Sequence, residues 1–348
     1  MIPDVSIIVV NRDTRDLTLA CLEAIRRTTR KTTYELIVVD NKSSDGSPSA
    51  IRQHQPDATV IALHEHVGFG PACNLACNQA GRQAKGRYVL FLDARAVVQD
   101  GAIDRLVAFA GCTPDARIWG GRTLNADRSP NALSCAARMT PWRQFCRVVG
   151  LSALWPGSSL FNGEAYGGWQ RDSVRVVDIV SSGFLLIETA FWRQLGGFDP
   201  AYFAYGEDAD LCLRAKKLDA TPLITPDAEI VLDEHAAPRP SGDHLANVLA
   251  AQSTLIRKHW SPGRRWIGHA LLRTLPLTHW LAAQFGRSKI EAGVWSAAIC
   301  SHKAWGGGYR SPPVARAWAS NGALSAAALR PDAGHDSTAM RNETVSSV

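Results

Sequence analysis

The chain lacks most of the signatures that settle a protein's class at once. Eight cysteines are spread through its 348 residues, yet no two stand in a CxxC spacing. Cys73 and Cys77 are four apart with no second pair to complete a zinc site. No apolar run approaches the roughly 20 residues that span a bilayer. The N-terminus opens directly into a strand pattern, so no signal peptide is expected; the thiols are read as reduced and mostly buried, in a cytoplasmic protein. No GxGxxG follows the first expected strand, which argues against a dinucleotide-dependent dehydrogenase. No internal repeat is found.

What is present is globular. Hydrophobic residues make up 46% and charged residues 20%, which excludes a disordered chain and a span-rich membrane protein. The formal net charge of +6 suits anionic partners: nucleotide diphosphates, acidic lipid surfaces or nucleic acid. The positive charge is not gathered into one aromatic-basic stripe, so no nucleic-acid partner is expected.

Apolar β-branched runs mark buried strands at Val5 to Val10, Glu35 to Val39, Thr59 to Leu63 and Arg87 to Leu92. Between the first two, Leu17, Leu19, Cys21, Leu22 and Ile25 form a helical stripe, with basic residues near its end. A second helix is expected over residues 71–84. Strand and helix therefore alternate, which predicts an α/β open sheet with its ligands at the carboxyl ends of the strands. Residues 111–175 read as a connection across the sheet plus a variable loop region. A short strand is expected near Pro222 to Ile224, and a helix over 244–260.

Five constellations carry chemistry. Asp40-Asn41 closes the second strand; its carboxylate can accept the imide N–H of a uracil or thymine, or simply form a turn. Asp93-Ala94-Arg95 closes the fourth. Paired acids at a strand end hold a divalent cation, but only the first acid is here. Arg95 can meet phosphate oxygens directly or form an ordinary salt bridge, and both readings stand. Glu207, Asp208 and Asp210 crowd the first turn of an expected helix behind Gly206 and an aromatic lead-in. They can cap the helix, or aim one carboxylate into a cleft as a general base. Asp233-Glu234-His235 offers a histidine beside acids, a pattern that serves metal ligation or structure. Ser182-Gly183 precede an apolar strand and suit a pocket floor or a tight turn.

Taken in order, these pieces resemble glycosyltransferase family 2, in its bacterial rhamnosyltransferase-like branch. The resemblance runs over roughly residues 4–260 through VVDNKSSDGS, HVGFGPACN, RYVLFLD, VSSGFLLIETAFWRQLGGFDPAYFAYGEDADLCLRA and TPDAEIVLDEH. It implies a GT-A type α/β fold: an open, mostly parallel twisted sheet flanked by helices, with a helical C-terminal extension. A catalytic domain is expected over 1–243, with its nucleotide-sugar half over about 1–110 and its acceptor half over about 111–243, then helices over 244–305 and, from its Gly/Pro/Ala/Ser-rich composition, a flexible tail over 306–348.

By the same resemblance, Asn11, Asp40, Asn41, Asp45, Gly68, Asn74 and Asp93 face a UDP- or dTDP-sugar, and Arg95 joins them by the chemistry of its guanidinium. Ser182 and Gly183 line the acceptor or sugar pocket, Glu207 and Asp208 carry catalysis with Asp208 as base, and Asp93 with His235 would hold a divalent cation, Mg2+ or Mn2+. The acid that normally completes that metal site is replaced by Arg95. The implied reaction is inverting transfer to a glycan or lipid-linked acceptor; the alternative is a sugar-nucleotide-binding homologue without turnover. Arg264, Arg265, Trp266, Arg273 and Trp280 lie on a segment that suits peripheral contact with the inner face of the cell membrane. A helix packed on the catalytic domain fits the segment equally, with Pro276 expected to interrupt a single long helix.

Overall fold

The computed structural model describes residues 2–78, 84–232, 240–288 and 290–309. Strands β1 (Val5–Asn11), β2 (Tyr34–Asp40), β3 (Thr59–Ala62) and β4 (Tyr88–Asp93) alternate with helices α1 (Arg15–Thr28), α2 (Ser47–His54) and α3 (Phe69–Asn78). The middle of the chain adds β5 (Val97–Val98), α4 (Ala102–Cys112), β6 (Ile118–Leu124), β7 (Cys135–Ala136), α5 (Pro141–Val148) and α6 (Leu151–Leu154). Then come β8 (Arg175–Val176), β9 (Ile179–Val180), β10 (Phe184–Glu188), α7 (Thr189–Leu195), α8 (Glu207–Lys216) and β11 (Leu223–Val231). Four helices follow: α9 (Gly242–His259), α10 (Pro262–Gln284), α11 (Ala292–Cys300) and α12 (His302–Trp305).

The main sheet runs β3-β2-β1-β4-β10-β6-β11-β5, with β8 paired to β11. The first four strands are mutually parallel. β10 enters antiparallel between β4 and β6, and β11 lies parallel to β6. This is the mostly parallel α/β sheet with a helical C-terminal region that the sequence predicts. β1 leads through α1 to β2 on one side, while β4 pairs on its other side. The order reverses there, and such a reversal opens a crevice beyond the strands' carboxyl ends.

The apolar runs of β1, β2 and β4 are buried on both faces, as runs without alternation require. Val5, Ile7 and Val9 pack with Leu22 and Ile25 of α1 and Leu106 of α4. Ile8, Val89 and Phe91 face the other way, toward Cys73 of α3, Trp192 of α7 and Leu211 of α8. A third cluster, with Leu249, Leu272, Trp295 and Trp305, gathers the last helices.

Four expectations are corrected. Residues 111–175 are not merely a connection: they supply β6, inside the sheet. Its Gly120 and Gly121 weaken the strand signal, but a Cβ at Gly121 would lie 2.3 Å from the Ala228 carbonyl, so close strand approach demands them. The short strand near Ile224 extends to Val231 through a register shift between Thr225 and Glu229, where Pro226 falls. α10 continues through Pro276, which is buried with Leu272 and Leu275 against its neighbours. That packing offsets the lost backbone bond. Residues 306–309 are held rather than frayed: the Tyr309 N–H donates to Thr254 Oγ1 (2.8 Å) and Arg257 donates to the Gly307 carbonyl (2.7 Å). The expected helix over 71–84 is α3, and residues 79–83 lie outside the described residues. No described helix is long and apolar enough to cross a membrane.

Candidate active site

The carboxyl ends of β1, β2 and β4 carry Asn11, Asp40 and Asp93. Asn11 and Asp40 are paired in register and bonded to each other, Asn11 Nδ2 donating to Asp40 Oδ1 at 2.7 Å. Asp40 Oδ2 accepts from the Ser43 N–H at 3.0 Å. Asn11 Oδ1 accepts from the hydroxyls of Thr14 and Thr18, both at 2.8 Å. Asn11 and Asp40 are buried, and together they brace the floor where β1 turns into α1.

Above this floor opens a cleft of about 1180 Å³, walled by Asn41, Asp45, Asp93, Arg95, Ser182, Gly183, Glu207 and Asp208. Segments from distant parts of the chain thus meet at one place, while Asn11, Asp40, Gly68 and Asn74 are not among the cleft's walls. Asn41 is fixed by donating to the Gly68 carbonyl (3.0 Å) and accepting from the Val67 N–H (3.0 Å). Asp45 accepts from the Arg15 N–H at 2.9 Å, tying its loop to the start of α1. Asp93 receives its backbone bond from β10's entry turn: its N–H donates to the Gly183 carbonyl at 3.0 Å.

Gly68 and Asn74 shape the cleft from behind. Gly68 has φ +92°, and a Cβ there would stand 2.3 Å from the Phe203 carbonyl oxygen. Only glycine allows this approach of the two loops. Asn74 does not face the cleft: its amide is turned to the backbone of Phe198, and it is buried in α3.

Tyr205 (φ +67°) and Gly206 (φ +82°) reverse the chain ahead of α8 and swing Glu207 and Asp208 toward the cleft. Asp208 Oδ1 accepts from the Ala209 N–H (2.7 Å) and Oδ2 from the Ser182 N–H (3.3 Å). Burial raises the Asp208 carboxyl above its ordinary value, although these N–H groups favour the charged form. Burial and then the Asp208 charge push Glu207 up to about 8. Glu207 Oε2 is buried without a hydrogen-bond partner among the described residues. Behind this turn, fully buried Asp210 accepts from Arg214 Nε (2.7 Å) and His259 Nε2 (2.8 Å). Burial works against its charge, but the His259 bond and the Arg214 charge prevail and hold it well below the usual carboxylate range.

A second, smaller cavity of about 260 Å³ opens beside the cleft, with an apolar wall that includes Met139, Ile179, Leu213, Val248 and Trp260. The two spaces share Leu133, Ser181, Tyr205, Gly206 and Asp208. Sequence reasoning placed Tyr205 only in an aromatic lead-in and did not single it out. It also passed over Arg12, Asp13 and His66, which wall the cleft; single polar residues in loops carry no spacing signal.

Residues 4–133 match the family described as Glycosyl transferase family 2. These residues form a glycosyl transferase family 2 domain. The chain is 29% identical over 220 residues to the N-acetylglucosaminyl-diphospho-decaprenol L-rhamnosyltransferase of Mycobacterium tuberculosis, spanning 61% of this chain and 70% of that one. It is 24% identical over 302 residues to the O-antigen biosynthesis protein RfbC of Myxococcus xanthus, spanning 79% of this chain but 22% of that longer one. Among solved structures, the mannosyltransferase PcManGT from Pyrobaculum calidifontis, in complex with GDP-Man and Mn2+, aligns with a TM-score of 0.48 at 19% identity. That alignment covers 92% of this chain and 79% of the other.

The divalent cation that the resemblance implies does not fit the described residues of this chain. Both Asp93 oxygens are taken by the Arg95 guanidinium, at 3.0 and 2.8 Å. No group of three His, Cys, Asp or Glu among the described residues can hold a metal. His235, with Asp233 and Glu234, lies outside the described residues.

Proposed function

We propose that the protein is an inverting glycosyltransferase that moves a sugar from a UDP- or dTDP-sugar to a hydroxyl of a glycan or lipid-linked acceptor. Rhamnose is the sugar favoured by likeness to the mycobacterial relative. One observation carries the reading: Asp208 walls both the large cleft and the small apolar cavity. A carboxylate at that junction reaches a donor on one side and an acceptor on the other.

The acceptor oxygen attacks the anomeric carbon in line. The new C–O bond forms as the bond to the diphosphate oxygen breaks, and that electron pair leaves with the nucleoside diphosphate. Asp208 takes the acceptor's proton. Its raised carboxyl makes it a stronger base than a free aspartate. Glu207, neutral at pH 7 by the same burial, adds no second charge beside it. Asn41 and Asp45 stand on the donor side; Ser182 holds Asp208 in place.

The test is Asp208→Asn. Transfer, scored over UDP-, dTDP- and GDP-sugars, is expected to fall by about 10²–10⁴-fold while nucleotide binding survives. Near-normal transfer overturns the assignment. The Asp93–Arg95 pair raises one alternative, a homologue that binds UDP or dTDP without turnover under any added cation.

The reading includes peripheral contact with the cytoplasmic face of a membrane. Trp266, Leu281 and Phe285 stand exposed on and just after α10, near Arg264, Arg265 and Arg287. Cosedimentation with anionic vesicles at low salt is the expected result, lost in the Trp266→Ala Phe285→Ala double variant.

A further inference from the structure

Asp93 stands at the carboxyl end of β4, beside the crevice where the strand order reverses, and both it and Arg95 wall the cleft. Three bonds bind the two residues. Arg95 Nε donates to Oδ1 at 3.0 Å, Nη2 donates to Oδ2 at 2.8 Å, and the Arg95 backbone N–H donates to Oδ1 at 2.8 Å. The pair is not an incidental surface contact: its side chains are 25% and 23% exposed and the guanidinium is locked in its fork-to-fork geometry.

The bonding leaves a remainder. A guanidinium has five N–H donors, and Asp93 takes two of them. Both hydrogens on Nη1 and one on Nη2 have no acceptor among the described residues. They form a positive edge, fixed in direction by Asp93. A carboxylate has about four acceptor sites, and the three bonds leave a divalent ion at most one of them, on Oδ2. The ion would then sit close beside a guanidinium charge that cannot be deprotonated. Asp93 is thus committed mainly to Arg95.

We propose that Arg95 is the resident cation of the donor site: its free N–H edge binds the diphosphate of the nucleotide, and Asp93 positions Arg95 rather than a metal. The assignment rests on the nucleotide-sugar reading given above and deepens it. It makes nucleoside diphosphate binding independent of divalent metal. It also assigns the two residues unequal parts. Removing Arg95 takes away the positive edge and uncovers the Asp93 charge toward the phosphates. Removing the Asp93 charge leaves the guanidinium in place with looser aim.

The experiment is calorimetric titration of UDP and dTDP into the full-length protein, in chelator and again with Mn2+. Mn2+ alone is titrated in parallel, followed by the loss of its free electron-resonance signal. Wild type is expected to bind one of the nucleotides with dissociation constants within about 2-fold in the two buffers, and to leave Mn2+ free. Arg95→Ala is expected to weaken binding in chelator by on the order of 10- to 100-fold, and Asp93→Asn by several-fold less than that. Melting curves of both variants confirm that they fold. Nucleotide binding that appears only with Mn2+, or Mn2+ bound by the wild-type protein alone, overturns the inference and leaves the glycosyltransferase reading intact. Equal losses in Arg95→Ala and Asp93→Asn reduce the pair to a structural salt bridge and overturn it too. Failure of both nucleotides to bind wild type in either buffer overturns the nucleotide reading itself, and this inference with it.

Discussion

The Asn74 side chain makes both of its strong bonds to one residue, 124 positions away. Nδ2 donates to the Phe198 carbonyl at 2.8 Å, and Oδ1 accepts from the Phe198 N–H at 2.9 Å. A side-chain amide thus substitutes for a strand partner, and it fastens the segment leading to Glu207 onto α3. Asn74→Ala leaves two buried backbone groups unpaired. The expected cost is about 2–4 kcal/mol, read from the denaturant midpoint at unchanged slope. A loss under half a kilocalorie would mean that the segment is held by packing alone.

Gly68 and Gly46 offer a matched pair of substitutions. Both have positive φ, +92° and +80°, but a Cβ meets the Phe203 carbonyl at Gly68 and open space at Gly46. Gly46→Ala is expected to cost about 1 kcal/mol, the backbone penalty alone. Gly68→Ala carries the same penalty plus a clash between two backbones, so its melting temperature is expected to fall several degrees further. Equal shifts in the two variants would refute the close approach.

The pH dependence of stability follows from Glu207. Its carboxyl is raised from an ordinary value near 4.5 to about 8 in the folded protein. Between those values the folded chain holds a proton that the unfolded chain has released. Unfolding therefore releases it, and stability falls as pH rises, by at most roughly 1.4 kcal/mol per pH unit. Glu207→Gln is expected to flatten this slope between pH 5 and 8 in urea titrations. A wild-type curve that is already flat there sinks the argument.

Asp210 acts in the opposite sense. Its carboxyl is held down in the folded state, so its contribution is present above its ordinary value of 3.8 and is lost as pH falls toward the folded one. Asp210→Ala removes the shared partner of Arg214, Lys258 and His259. Arg214 keeps its bonds to the Leu195 and Gly197 carbonyls and Lys258 keeps Asp199, so the expected cost is about 1–3 kcal/mol. Because Arg214 lies on α8 while Lys258 and His259 close α9, faster proteolysis at the end of α9 is the accompanying readout.

The first four strands were legible because each is an unbroken apolar run closed by a polar residue, Asn11, Asp40 or Asp93 in three cases. The turn before Asp208 was legible because three acids crowd one helix start. β6 was not, since paired glycines mimic a loop; the room they make is needed only once Ala228 and Phe184 lie against them. Pro226 split β11 into two apparent fragments, and Pro276 stood in the way of reading α10 as one helix. In each case tertiary packing overrode a local signal. Asn74 fell within a recognisable motif, but its partner Phe198 is set by topology, and no spacing reports it.

The antiparallel entry of β10 also bears on how the chain is made. β4 gains its second neighbour only when Phe184–Glu188 arrives, and Asp208 meets Ser182 later still. A ribosome that has delivered the first hundred residues has released four parallel strands. The growing edge of that sheet is Val89, Leu90 and Phe91, paired with β1 on one side and bare on the other. Unpaired apolar edges recruit other chains. The stretch of synthesis between β4 and β10 is therefore the interval in which this protein most needs a chaperone. Truncations ending near residue 112 should aggregate, whereas those ending after β11, which covers the far edge of β6, should not.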